Sequence, residues 1–281
     1  MKYIPIRVSE QVVINEFYSL FKIKYENGFS FSGESHNFWE CMYVIEGGVC
    51  VSADERIYKL KRGEIVFHKP LELHKFYVDN PDGATLLIFS FTMTGEISKF
   101  FENKVFALSS EQKEIISLLL DYINLRIKSI EMSDRKMQHE EYLIPFNYIK
   151  NYSQMIQTYV YQLFLLISES NTEARVSSEY NASIFKDAVE YMNLNLCLTP
   201  SVLDIAKNCG VSESGLKRIF EKYAGIGVHK YFLKLKVKAA VKMLNSGISV
   251  TQTAKELGFS SQGYFSKVFK RESGILPSQI K

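Results

Sequence analysis

Residues 202–226 and 250–275 of this chain repeat one another, and the repeat has the form of a helix-turn-helix written twice. The first copy reads VLDIAKNCGVSESGLKRIFEKYAGI and the second VTQTAKELGFSSQGYFSKVFKRESGI. Ala206-Lys207 aligns with Ala254-Lys255, and Gly210 with Gly258. After one extra residue in the second copy, Leu216 aligns with Phe265, Arg218 with Lys267, Phe220 with Phe269 and Gly225-Ile226 with Gly274-Ile275. In each copy a first helix supports a second across a Gly-containing turn, and such a second helix can enter a DNA major groove. A single copy would be equally well explained as solvated basic helix surface. Two copies at matching offsets point instead to a sequence-specific DNA binder.

Charge agrees with that reading. Residues 181–281 carry 15 Lys+Arg against 7 Asp+Glu, a balance of +8, whereas residues 1–180 carry 19 against 24, a balance of −5. The formal net charge of +3 for all 281 residues hides this asymmetry. A basic tail on an acidic remainder suggests that only the tail meets a polyanion. No apolar run reaches the roughly 18 residues of a membrane span, and MKYIPIRVSEQ lacks a signal-peptide core, so a cytoplasmic protein with no membrane partner is expected. Cys41, Cys50, Cys197 and Cys209 form no CxxC pair, so packed, reduced thiols are expected, Cys209 taking a small apolar position in the first helix-turn-helix.

The tail reads as helical throughout. Thr199-Pro200 predicts a helix start, Ser249 with Gln252 a capping box, and residues 228–245 one continuous helix of about 27 Å. The first recognition helix should run over 212–223, with Leu216, Ile219, Phe220 and Tyr223 in the core and Ser214, Lys217, Arg218 and Lys222 outward. In the second, Phe265, Val268 and Phe269 should be core, while Gln262, Gly263, Ser266, Lys267, Lys270 and Arg271 face out. Arg and Lys can donate to guanine O6 and N7, and Gln can bond adenine bidentately. The remaining cations and hydroxyls suit phosphates, which set position more than sequence.

The N-terminal part has a different period. From 39 to 92, β-rich runs alternate with turns: WECMYVIE, a break at Gly47-Gly48, VCVSA, RIYKL, a turn at 61–64, IVFH, HKFYV, the turn NPDG and TLLIFSF. Short strands at this spacing predict a sandwich or barrel. Helices are expected over 111–130 and 148–168, with a loop over 131–141. Ile149, Tyr152, Ile156, Tyr159, Leu163 and Leu166 form an apolar stripe on the second helix, suited to the barrel, to a second subunit or to both. The polar, Ser-rich segment 169–182 reads as a linker between a domain over 1–168 and a second over 183–281.

The tail resembles the DNA-binding domain of AraC-family transcription regulators. The resemblance covers 184–281 and rests on a GF turn, YFS-K-x-FK and G-x-x-P-S within ISVTQTAKELGFSSQGYFSKVFKRESGILPSQIK. It implies two recognition helices in successive major grooves, with base-reading positions at Ser214, Lys217 and Arg218, then Gln262, Gly263, Ser266 and Lys267. Lys222 and Lys270 join them as backbone contacts. The chain departs from the family at Lys236 and Lys267, where Arg is usual, and Lys lacks the planar fork of Arg. Gly263 offers no side chain to a base.

Residues 30–92 resemble the cupin-like sensor half of the same family, through H-x-F-x-E, Y-x-x-x-G, x-G-E before a strand and P-x-E-x-H. The resemblance implies an α+β multi-domain protein: a cupin-like β-barrel with flanking, dimerising helices, then an all-α double helix-turn-helix domain. Candidate effector contacts are His36, Trp39, Glu40, Tyr43, Phe67 and His74; aromatics with a few polar groups suit a sugar or another small polar metabolite. Trp39 and Glu40 cannot both point inward from a regular strand. His36, Glu40 and His74 also occupy positions that hold metal in enzymatic cupins, but Glu34 stands where a first His would be, and no metal, cofactor or catalytic residue is expected. The expected protein is a homodimeric, effector-responsive transcription regulator, an activator more than a repressor, with operator DNA and RNA polymerase as partners. A constitutive or protein-responsive regulator with a filled barrel, and a metalloenzyme fused to a DNA anchor, are the rivals.

Overall fold

A computed structural model describes residues 4–7, 9–127, 142–169 and 180–280. The N-terminal part is an antiparallel sheet of seven strands: β1 (Phe17–Tyr25), β2 (Trp39–Ala53), β3 (Arg56–Lys61), β4 (Glu64–His68), β5 (His74–Tyr77), β6 (Ala84–Phe91) and β7 (Val105–Ala107). The order β1-β6-β2-β4-β7 forms one path, and β3 and β5 pair with the far half of β2. Helices α1 (Ser110–Ile127) and α2 (Tyr152–Ser168) pack on one face of this sheet. The C-terminal part is helical, with α3 (Tyr180–Leu194), α4 (Val202–Asn208), α5 (Glu213–Ala224), α6 (Val228–Asn245), α7 (Val250–Glu256) and α8 (Gln262–Ser273). No helix among the described residues is long and apolar enough to cross a membrane. The proposed loop 131–141 and most of the linker 169–182 lie outside the described residues, although α3 already begins at Tyr180.

β2 organises the molecule. The sequence places a turn at Gly47-Gly48, but the strand runs straight through them for 15 residues. Gly47 has φ +73, and a Cβ there would lie 2.0 Å from the Gly83 carbonyl oxygen, so glycine serves close backbone approach rather than reversal. An irregularity between Val44 and Glu46 shifts the register against β6. Before it, Trp39, Cys41 and Tyr43 face α1 and α2, while Met42 and Val44 face the sheet interior. After it the parity is reversed: Val49, Val51 and Ala53 face the interior, and Cys50 faces the C-terminal helices. A bulge of one residue has this effect because side chains alternate with period two.

The two parts share a core. Cys50, Ile57 and Leu73 from the sheet pack with Phe185, Phe220, Tyr223 and Tyr231 from α3, α5 and α6. α8 and the far half of α6 form a separate core, with Leu233, Val237, Phe265 and Phe269. Lys236 is 3 % exposed. Its ammonium donates to the carbonyls of Leu198 and Leu257, both at 2.8 Å, tying the two helix-turn-helix halves together.

Several local expectations need correction. α4 is capped by Ser201 in a reciprocal box with Asp204, so Thr199-Pro200 precedes the helix rather than starting it. Ser249 accepts from the Gln252 backbone, but the Gln252 side chain donates to Glu256, which leaves half of the expected box unmade. Cys197 is exposed and Cys209 half-buried, whereas Cys41 and Cys50 are buried. Of the apolar stripe on the second helix, Tyr152, Ile156 and Leu163 are buried within their own domain core, so this part of the stripe packs on the sheet.

Candidate functional site

The sheet and the strap line a half-open chamber of about 540 Å³, a size that suits a small ligand. Its walls are aromatic. β1 contributes Tyr18, Phe21, Ile23 and Tyr25, and the strap 29–38 contributes Phe29, Phe31 and Phe38. Phe76 of β5 stacks on Phe31 with ring centres 5.4 Å apart, and Tyr25 stacks on Phe29 at 4.2 Å. Polar groups gather at one end: Glu34, His36, Glu40 and Ser90.

Of the sequence candidates, His36 and Glu40 line this chamber, and His74 stands beside them. Trp39, Tyr43 and Phe67 do not line it. Trp39 and Tyr43 point from the opposite face of β2, and Phe67 from β4, into the core beneath α1 and α2. Strand alternation is the cause, since Glu40 and Trp39 are neighbours and only one can face inward. The sequence reading overlooked the whole β1 wall. The usable signal was the alternation Phe21, Ile23, Tyr25 within FYSLFKIKY.

The polar end is a compact cluster. His74 Nε2 lies 3.4 Å from Glu40 Oε1 and 3.7 Å from Glu34 Oε1, and His36 Nε2 lies 3.9 Å from Glu40 Oε2. Burial opposes ionisation of Glu40, but the hydrogen bond and charge of His74 hold its carboxyl at about 2. Burial likewise opposes a charged His74, yet the Glu34 and Glu40 carboxylates lift it to about 10. Burial and the neighbouring His74 lower His36 below the ordinary histidine value. Behind them His68 stacks on His74 at 4.3 Å, and its Nδ1 is 2.9 Å from the buried Glu72.

The wall of this chamber is also the clamp on α5. From β5, Lys75 donates to the Glu221 carbonyl at 2.6 Å. Ser52 of β2 donates to the Tyr223 carbonyl, and Lys238 of α6 pairs with the buried Asp54. The last carbonyls of a helix have no partner within it and favour a nearby cation, so Ser52 and Lys75 complete the C-terminus of α5 from another part of the chain. At Gly225 a Cβ would lie 1.8 Å from the Ser32 carbonyl oxygen, so the strap meets the end of α5 backbone to backbone.

On the two recognition helices, Ser214, Lys217, Arg218 and Lys222 of α5 are exposed, as are Gln262, Gly263, Lys267 and Lys270 of α8; Ser266 is half-buried. Each helix is capped by a serine, Ser212 accepting from the Gly215 backbone and Ser261 from that of Tyr264. Lys217 is engaged with Glu213 at 2.5 Å, and the Lys222 ammonium lies over the rings of Tyr223 and Tyr77. Gln262 accepts from Thr251 at 2.8 Å, which ties α8 to α7.

Residues 205–281 match the helix-turn-helix domain family, and residues 17–100 match the AraC-like ligand-binding domain. The chain belongs to the AraC family of transcription regulators. It is 22 % identical over 276 residues to the Msm operon regulatory protein of Streptococcus mutans, covering 92 % of this chain and 89 % of that one. It is 21 % identical over 254 residues to the HTH-type transcriptional activator RhaR of Mannheimia succiniciproducens, covering 88 % and 85 %. ToxT of Vibrio cholerae is a solved structure related at 11 % identity, with a TM-score of 0.39 and 96 % of each chain covered. This AraC-family regulator is therefore a DNA-binding transcription regulator with a ligand-binding domain, and not an enzyme.

Proposed function

We propose that this regulator is an activator whose operator affinity is set by a small polar effector in the aromatic chamber. The observation that carries the reading is the double role of β5. Phe76 lines the chamber, while the adjacent Lys75 holds a carbonyl at the end of the first recognition helix. An effector that moves the strap or β5 shifts the balance between two placements of α5, provided it binds one placement more tightly. A carbohydrate suits the lining, with a ring face on Phe29, Phe31 or Phe76 and hydroxyls on Glu34, Glu40 and Ser90. Ser214, Lys217 and Arg218 then read one major groove and Gln262, Gly263, Ser266 and Lys267 the next, with Lys222 and Lys270 on phosphates. Activation is supported by the name of the relative RhaR, a transcriptional activator, and contact with RNA polymerase would be its route. A homodimer would use the outer faces of α1 and α2, where Leu118, Leu125 and Leu165 are exposed.

The test is operator binding by fluorescence anisotropy, with fractionated metabolite pools, for the wild type and for Ile88→Trp, which fills the chamber from β6. The expected result is a fraction that shifts wild-type affinity and leaves Ile88→Trp unmoved at unchanged basal affinity. An equal shift in both proteins, or none in the wild type, would reject the chamber as the effector site.

A further inference from the structure

Glu34, His36, Glu40 and His74 each offer one ligand atom, and all four atoms lie within 4.8 Å of one another. The set joins three segments: Glu34 and His36 on the strap, Glu40 on β2 and His74 on β5. An antiparallel bridge between Glu34 and His74 fixes the strap to the strand, with the Glu34 N–H donating to the His74 carbonyl at 2.9 Å. Donor atoms around a tetrahedral ion at about 2.1 Å stand roughly 3.4 Å apart. Separations of 3.4, 3.7 and 3.9 Å occur between neighbouring donors, with both Glu40 oxygens used, and the four-atom set lies within 4.8 Å, so the side chains would have to draw in to close on an ion.

The two imidazoles are oriented as ligands. His36 Nδ1 lies 2.9 Å from the Phe38 carbonyl and His74 Nδ1 lies 3.2 Å from the Glu72 carbonyl. A carbonyl can only accept, so each Nδ1 carries a proton; His36, held neutral by burial, presents its Nε2 lone pair, whereas His74, held charged by Glu34 and Glu40, would give up its Nε2 proton to an ion. Both Nε2 atoms are buried and belong to the cluster: His36 Nε2 has no hydrogen-bond partner among the described residues, and His74 Nε2 faces the Glu40 and Glu34 carboxylates as an ion pair. Histidine that donates one ring nitrogen to a carbonyl and offers the other is the usual outer-shell arrangement of a metal site. Ser90 donates to Glu40 Oε2 at 3.1 Å, which fixes that carboxylate in the same way. A buried imidazole nitrogen with no partner is costly, and His36 brings one to this cluster.

We propose that Glu34, His36, Glu40 and His74 form a mononuclear site for a divalent first-row transition-metal ion at the polar end of the chamber. Two carboxylates balance the charge of the ion, and mixed imidazole and carboxylate donors favour such an ion over Ca²⁺ or Mg²⁺. The open side of the site faces the aromatic walls, so a bound ion would present a coordination position to whatever enters. The inference stands on ligand geometry and does not depend on the identity of the effector.

Co²⁺ titration of the chelator-stripped, full-length protein tests it by visible ligand-field absorption and by metal analysis after gel filtration. One Co²⁺ per chain is expected, displaced by Zn²⁺. His36→Asn and Glu34→Gln lie on the strap, outside the packed core, and thermal melts report whether they stay folded. Folded His36→Asn should bind Co²⁺ more weakly by at least the roughly 10–100-fold that loss of an outer-shell partner costs. His229→Asn, remote on α6, should bind as the wild type does. Less than one Co²⁺ per chain, equal binding by folded His36→Asn, or a thiolate charge-transfer band that places the ion at exposed Cys197 would overturn the proposal. Effector response is not read in this experiment, so its failure leaves the chamber reading to its own test.

Discussion

The two helix-turn-helix halves share a sequence pattern but occupy unlike settings. α5 is buried at its C-terminus against the sheet, with Ser52, Lys75 and the strap closing its last turn. α8 packs on α6 and α7 in a core that contains no residue of the sheet. The aligned glycines mark the contrast. Gly225 and Gly274 both end their helices in the left-handed region, at φ +66 and +81. A Cβ at Gly225 would strike the Ser32 backbone, whereas one at Gly274 would meet open space. The same turn chemistry thus serves as a docking contact in one half and as an ordinary helix end in the other. Helix α5 packs against the sensor sheet, and α8 packs only on its own helical neighbours among the described core residues.

Four measurements would break or sharpen that contrast, and the glycine pair carries the largest effect. Gly274→Ala should cost about 1–2 kcal/mol, the price of a left-handed alanine, while Gly225→Ala should add about 1–3 kcal/mol of overlap and release α5 from the sheet. Urea melts give the difference; equal costs would mean that the strap contact does not hold. Lys236→Met comes next, because it removes the bridge between the halves while keeping length. A loss of roughly 2–3 kcal/mol is expected from two carbonyls deprived of a charged donor, with separate melting of the second half; a single unshifted melt would show that the halves are joined by packing alone. In DNA binding, Arg218→Ala and Lys267→Ala should each weaken the cognate site by about 1–3 kcal/mol and relax preference at one base. Uniform loss across sequences would reassign them to phosphates. The smallest effect belongs to Lys75→Ala. A loss of about 0.5–1 kcal/mol is expected, visible as faster amide exchange at the end of α5 with α8 unchanged; equal change in both helices would contradict a local clamp.

The helical tail was the most legible part of the sequence. The linking helix runs over Val228–Asn245 as its apolar spacing implied, and Leu216, Phe220, Tyr223, Phe265, Val268 and Phe269 are all buried. Local signals sufficed there, because capping serines, turn glycines and a 3.6-residue period all lie within each element. The sheet was harder to read. Gly47-Gly48 looks like a turn in isolation, and only the carbonyl of Gly83, brought alongside by pairing with β6, reveals the crossing. Alternation puts Trp39 and Tyr43 on one face of β2 and Glu40 on the other, but which face meets the chamber and which meets α1 and α2 is set by packing that the sequence does not show, and the same holds for Phe67 on β4. Contacts such as Ser52 with Tyr223, 171 residues apart, leave no local trace. The His and Glu cluster was half visible: the spacing of His36, Glu40 and His74 was apparent, but the burial and ring orientations that bring it together with Glu34 are a property of the fold.

The single continuous β2 also limits how this protein can change over generations. Its first half carries Glu40 into the chamber and its second half carries Ser52 to α5, with the bulge near Ile45 setting which side chains fall on which face. Surface loops elsewhere can lengthen or shorten at little cost. One residue gained or lost between Glu40 and Ser52 would turn either the chamber wall or the docking surface inside out. Substitutions can retune what the chamber holds, but the number of residues between these two positions is inherited as a unit.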